Sequence, residues 1–168
     1  MEKQVFKGRL LKVYRRSVKL PNGYTASLEV IKHPGAALVV PFLNNNTVII
    51  LKQLRSVVGE YLYEFPAGTL DPGETPLACC RREIVEETGY AATKFTKLGS
   101  IYPVPGYSTE RIVIFKAGEL RKVEKLTQQD EIIRVEIKTR QEIVKLFKTG
   151  KIIDAKTICA LAMIGWVC

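Results

Sequence analysis

Histidine is nearly absent from this 168-residue sequence: His33 stands alone. Without a second histidine a His-rich zinc site is excluded, and a serine-type catalytic triad has no obvious member. Cysteine is scarce as well. Cys79, Cys80, Cys159 and Cys168 show no C-x-x-C spacing and no disulfide-like framework, so they read as reduced thiols of a reducing compartment. No apolar run approaches the length of a membrane span, and "MEKQVFKGRL" lacks the apolar stretch of a signal peptide, so a cytoplasmic protein is expected. A dense basic block and a stacking aromatic motif of the RNA-binding kind are also missing. The 26 basic residues are scattered, which argues against nucleic acid as a partner.

What is present is the balance of a globular chain, 46% apolar and 26% charged, of a length that suits one domain with a real core. The formal charge of +9 points either to an anionic partner, such as a small phosphorylated substrate, or to solubility alone. The first third reads as β: "VFKGRLLKVYRRSVKL", the turn signal "PNG" and "YTASLEVIK" form a hairpin pattern. Two strongly apolar strands, "AALVVPFL" and "TVIILKQL", flank "NNN". Further strand-like runs occur at "KFTKLGSIYPV", "ERIVIFKAGEL" and "EIIRVEIKT". Helical patterns at "RQEIVKLFKTG" and "DAKTICALAMIGW" close the chain, with Asp154 placed to cap the second. One α+β domain is the economical reading.

The segment "EFPAGTLDPGETPLACCRREIVEETGY", Glu64 to Tyr90, departs from the β pattern. Thr75 can cap a helix, Pro76 suits its first position and Gly89 can end it. On a helical wheel Leu77, Arg81, Ile84, Val85 and Thr88 share one side, which apart from Arg81 is expected to pack on a sheet. Glu83, Glu86 and Glu87 gather with Cys79 on roughly the opposite side. Carboxylates so close repel one another by a few tenths of a kcal/mol per pair, so either the face is solvated or a cation sits against it. Mg²⁺, a hard cation that takes one or two carboxylates together with phosphate oxygens, suits such a face. Cys79 on this face reads as a small hydrophobe, and His33, before Pro34-Gly35, as a turn or interface residue.

Gly68, Glu74, Arg82, Glu83, Ile84, Glu86, Glu87, Gly89 and Tyr90 fit G-x5-E-x7-R-E-U-x-E-E-x-G-U, where U is a bulky apolar residue. This pattern resembles the signature of the Nudix hydrolases. The resemblance implies an α/β/α sandwich around a mixed sheet and a loop–helix–loop that binds Mg²⁺ or Mn²⁺ to cleave a nucleoside diphosphate linked to another group. By the same resemblance, Glu83, Glu86, Glu87 and the carbonyl of Ala67 hold metal, while Arg82 and Glu74 brace the loop on the helix. Bound metal would neutralise the pyrophosphate and lower the pKa of a water.

"LEVIKHPGAALVVP", "LKQLRSVVGEYLYEFPAG", "YPVPGYSTE" with Pro105, and "GKIIDAKTICAL" resemble the ADP-ribose pyrophosphatase branch of that family. This implies cleavage of ADP-ribose, or a related ADP-sugar, to AMP and ribose 5-phosphate. Arg55 would meet the phosphates or terminal ribose, and Glu29 the adenine end, often in the partner's site through a swapped N-terminal β-region. A homodimer is therefore expected, with residues 1–34 as the dimerising β-region and 35–168 as the Nudix domain. Pro105, Gly106 and Glu110 would help form the substrate pocket. Where the branch often carries E-x-E before its last strand, this chain has Gln129, Asp130 and Glu131. The general base is then Asp130, Glu131 or a helix glutamate such as Glu86. Two alternatives stay open: another nucleoside diphosphate derivative as substrate (a dinucleotide, a GDP-sugar or an RNA 5′ end), and a sensor that binds ADP-ribose without turnover.

Overall fold

The computed structural model describes residues 2–8, 11–124 and 133–167. Gln129, Asp130 and Glu131 lie outside the described residues. Strands β1 (Glu2–Lys7), β2 (Lys12–Lys19) and β3 (Thr25–Ile31) form a small antiparallel sheet, with β2 and β3 joined as the expected hairpin across the "PNG" turn. The first β run thus holds two strands, the first ending just before Gly8.

A larger mixed sheet carries the rest of the molecule. Its strands are β4 (Ala36–Asn44), β5 (Thr47–Arg55), β6 (Glu60–Glu64), β7 (Ala67–Thr69), β8 (Tyr90–Ile101), β9 (Ile112–Lys122) and β10 (Ile133–Thr139). The main path runs β10-β5-β4-β9-β8, with β6 paired to β5 and β7 to β4. Only the β4–β9 pairing is parallel among these. Helix α1 (Pro76–Thr88) follows β7, and α2 (Arg140–Lys148) and α3 (Ala155–Met163) close the chain. Among the described residues, no helix is long and apolar enough to cross a membrane.

Side chains alternate across a strand, and β4 shows what that achieves. Ala36, Leu38, Val40 and Phe42 pack with Ile143 of α2 and with Ala160 and Leu161 of α3. Ala37 and Val39 point the other way, against Cys80 and Ile84 of α1. Buried on both faces, β4 needs an unbroken apolar sequence rather than an alternating one, which is what "AALVVPFL" supplies. The expected α/β/α sandwich follows from this division, with α1 on one side and α2 and α3 on the other.

Strands β4 and β5 pair only near their hairpin, at Phe42↔Val48 and Asn44↔Thr47. Beyond that they part, and the β6–β7 segment fills the fork, β6 along β5 and β7 along β4. Phe65 and Pro66, between those two strands, are buried. The chain entering α1 is therefore seated in the middle of the sheet.

Candidate active site

Helix α1 begins as its sequence requires. The Thr75 side chain accepts a hydrogen bond from the Ala78 N–H at 3.2 Å, and Pro76 occupies the first turn. It ends on Gly89 at φ 73°, a left-handed conformation that costs glycine little. The wheel grouped the acidic side without deciding whether water or a cation lies against it. Glu83 and Glu87 are only 8% and 4% exposed, Glu86 is half-buried, and Cys79 is fully buried. Most of that side is turned from solvent, because the fork in the sheet lays β7 against it. On the other side Ile84 is buried and Leu77 and Val85 are partly so, as expected, while Arg81 is exposed beside the Phe95 ring.

The acidic side is held by one arginine. Arg82 donates from Nε and Nη2 to the two oxygens of Glu74 at 3.1 and 3.0 Å, and from Nη2 to the Thr69 carbonyl at 3.2 Å. Its Nη1 donates to Glu83 Oε1 at 2.6 Å and to Glu86 Oε2 at 3.2 Å. A net gain of about 1.5–3 kcal/mol is typical of a charge-assisted hydrogen bond, so these contacts outweigh a repulsion of a few tenths between neighbouring glutamates. The hydrogen bonds Arg82 donates to Glu74, aided by the Glu83 charge, drive the Arg82 pKa upward. Hydrogen bonds from Arg82 and from the Asp71 N–H hold the Glu74 carboxyl below its ordinary value. Arg82 therefore braces loop to helix through Glu74 and Thr69, and also gathers two of the three signature glutamates that lie on α1.

The loop itself meets Glu87 and Glu83. The Ala67 N–H donates to Glu87 Oε2 at 3.0 Å, which fixes that carboxylate beside the Ala67 peptide. Gly68 leaves the space that Glu83 needs: a Cβ there would lie 1.6 Å from Glu83 Oε1. The Cys79 thiol donates to the Gly68 carbonyl at 3.4 Å, and burial, then the Glu83 charge, pushes its pKa up to about 12. It is a protonated packing group, as the sequence suggested.

An open cleft of about 340 Å³ runs from this loop across the sheet. Ala67, Gly68 and Thr69 line it together with Arg55, Asp154, Ala155 and Lys156, and Pro103 and Glu110 also contribute. Arg55, singled out from the sequence, donates Nε and Nη2 to Glu64 Oε1 and Oε2 at 2.7 and 2.6 Å. Lys156 Nζ donates to the same Glu64 Oε2, and to Asp154 Oδ1 at 2.8 Å. Burial alone would raise the Glu64 carboxyl, but Arg55 and Lys156 outweigh it and bring its pKa below the ordinary value. The hydrogen bond to Glu64 raises Arg55 in turn.

Sequence reasoning did not single out Glu64 or Lys156. "DAKT" carried the signal, because each polar residue in it has a separate task. Asp154 caps α3 through the Thr157 N–H at 2.9 Å, Lys156 reaches Glu64, and the Thr157 hydroxyl accepts from the Phe65 N–H at 3.1 Å. Only the cap is readable without knowing that α3 packs beside β6.

Of the remaining expected residues, Glu110 lines the cleft and lies 3.9 Å from His33 Nε2. His33 Nδ1 accepts from the Gly35 N–H at 3.1 Å, the turn role expected of it. Pro105 and Gly106 are exposed and do not line the cleft, where Pro103 stands instead. Glu29 lies on β3 and meets Arg15 at 3.4 Å, and it does not line its own chain's cleft.

The donor set can be judged for a divalent cation. Glu83, Glu86, Glu87 and the Ala67 carbonyl offer oxygen only, which suits a hard ion that keeps some of its waters rather than zinc. Among the described residues, no three acidic, histidine or cysteine side chains are drawn into a ready-made cage. Glu83 and Glu86 do direct oxygens to one cationic nitrogen of Arg82, so the pair already accommodates positive charge between them. The residues fit the ion.

A cleft lined by Arg55 and Lys156 and by the loop residues Ala67, Gly68 and Thr69, with the α1 carboxylates behind that loop rather than in the lining, suits a substrate of several negative charges. On an α/β/α sandwich this arrangement suits a pyrophosphohydrolase. The NUDIX domain family matches residues 32–161, and the chain belongs to the Nudix family. It is 36% identical over 162 residues to the ADP-ribose pyrophosphatase of Bacillus subtilis (strain 168), covering 95% of this chain and 88% of that protein. A second relative, the methanol dehydrogenase activator of Bacillus methanolicus, is 35% identical over 160 residues, covering 94% and 86%. Among solved structures, an ADP compounds hydrolase superposes with a TM-score of 0.86 over 98% of this chain and 90% of its own, at 22% identity, which supports the fold. The chain is a Nudix pyrophosphohydrolase acting on nucleoside diphosphate compounds.

Proposed function

We propose that the enzyme hydrolyses the pyrophosphate bond of ADP-ribose, or of a closely related ADP-sugar, to AMP and ribose 5-phosphate, with Mg²⁺ (or Mn²⁺ in its place) as the metal. The observation that carries this reading is the cleft, which joins the loop Ala67–Thr69 to Arg55 in a volume of about 340 Å³. The similarity to an ADP-ribose pyrophosphatase across 95% of the chain supports the choice of substrate.

In this reading Glu83, Glu86, Glu87 and the Ala67 carbonyl hold the metal. When bound, the metal neutralises the pyrophosphate and lowers the pKa of a water. The chain's own groups do the rest. Arg82 keeps the carboxylates in position, and Arg55, which lines the cleft, binds phosphate. Glu86, the most open of the three glutamates, accepts the proton of the attacking water; Asp130 and Glu131 are the other candidates. The water oxygen bonds to one phosphorus, and the bridging oxygen leaves with the other and is protonated.

The small sheet supports a homodimer. Residues 1–34 form the dimerising region in this reading, and 35–168 the Nudix domain. Strands β1 to β3 contain no buried residue. Val5, Phe6, Tyr24 and Leu28 stand 41–67% exposed, and apolar surface of this kind marks an interface. A partner's cleft is then where Glu29 would act.

Product analysis on a panel of ADP-ribose, NADH, GDP-mannose and capped RNA, with and without Mg²⁺, tests the substrate. ADP-ribose is expected to be cleaved fastest and only with the metal; equal or faster cleavage of another member overturns the substrate, and binding without turnover overturns the enzyme reading. Glu87→Gln is expected to remove most turnover with the melting curve little changed.

A further inference from the structure

The Arg55–Glu64–Lys156–Asp154 cluster divides its hydrogen bonds unevenly. Every carboxylate oxygen is taken: Glu64 Oε1 by Arg55, Glu64 Oε2 by Arg55 and Lys156, Asp154 Oδ1 by Lys156, and Asp154 Oδ2 by the Thr157 N–H. The cations are not used up. A guanidinium carries five N–H donors and an ammonium three. Arg55 gives two bonds to Glu64, and Lys156 gives one each to Glu64 and Asp154.

Both cations line the cleft, whereas Glu64 is 1% exposed beneath them. Two positive groups meeting at one carboxylate oxygen would repel each other without it. Glu64 therefore fixes them side by side and withdraws its own charge from the cleft surface. What that part of the lining offers to an incoming molecule is a set of N–H donors on adjacent cations, spaced by a single oxygen. A phosphate group, with several oxygens on one centre, can accept from both at once. A neutral sugar hydroxyl would leave most of these donors without a charged acceptor.

We propose that Lys156 is a substrate-binding residue. With Arg55 it forms a two-cation clamp on one phosphate of the nucleoside diphosphate, and Glu64 is the positioning residue that sets the clamp. The assignment deepens the ADP-ribose reading above and rests on it for the identity of the substrate.

The test compares wild type with Lys156→Met, Lys156→Gln and Lys156→Arg. Steady-state kinetics are measured on ADP-ribose, calorimetric binding of ADP-ribose is measured in EDTA, and each variant's melting curve is recorded. Lys156→Met and Lys156→Gln are expected to raise KM by about tenfold or more, to weaken metal-free binding by the same factor, and to leave kcat within a few-fold. Gln keeps a donor for Glu64, so it separates loss of charge from loss of packing if the Met variant does not fold. Lys156→Arg should recover most of the binding. Unchanged KM and binding in a folded neutral variant overturns the clamp. So does an Arg variant as weak as the Met variant, which would mark a purely structural lysine. If wild type neither binds nor cleaves ADP-ribose, the substrate reading fails by itself. Inorganic pyrophosphate then replaces it as the probe: about tenfold weaker binding to a neutral variant upholds the clamp, and equal binding overturns it.

Discussion

Gly68 shows how a single residue can be required by its neighbour rather than by its own backbone. Its φ is not in the left-handed region, so another residue would be tolerated conformationally. The obstacle is Glu83, whose carboxylate occupies the space 1.6 Å from where a Cβ would be. Gly68→Ala must displace Glu83, which also costs the hydrogen bond from Arg82 at 2.6 Å. The expected result is a loss of turnover of about a hundredfold or more, with a destabilisation of about 1–3 kcal/mol from overpacking. Kinetics and a denaturant melt of the same sample check both. By contrast, Gly106 has open space around its Cβ position, and nothing in the structure demands glycine there.

At the scale of the element, α1 carries three carboxylates whose repulsion Arg82 offsets, and its ends are capped as well. Thr75 satisfies the Ala78 N–H, and Gly89 closes the helix with its N–H on the Val85 carbonyl at 3.0 Å. Thr75→Ala is expected to lower stability by about 1 kcal/mol. Because the cap lies at the opposite end of the helix from Glu86 and Glu87, kcat at saturating metal should change by no more than a few-fold. A urea melt and a metal titration distinguish this from a direct role at the site. The same element shows the limit of pattern reading. Wheel geometry correctly put Glu83, Glu86 and Glu87 together and Ile84 on the core side. It could not reveal that β7 covers the acidic side, because hydrophobic periodicity registers the sheet face and is silent about a polar contact with a neighbouring loop.

For the whole molecule, the small sheet decides the expected assembly. Three strands without a buried residue are a poor independent unit in water. Sedimentation at micromolar concentration is expected to give the mass of two chains; a mass near 18.9 kDa would reject the dimer. If the partner's cleft uses Glu29, then Glu29→Gln should raise KM for ADP-ribose while leaving the mass unchanged.

Much of the protein was fixed by local chemistry that a sequence displays openly. The signature residues Gly68 to Tyr90, the cap at Thr75, the double-faced apolar run of β4 and the Asp154 cap each express themselves within a few positions of chain. They therefore determined the family, the helix and the carboxylate set. Tertiary structure decided what depends on distant segments meeting. Forking of β4 from β5 brought Ala67 to Glu87, and packing of α3 beside β6 brought Lys156 to Glu64, 92 residues apart. No periodicity encodes such a meeting, since a charged residue at a strand end looks the same whether it faces water or a buried carboxylate.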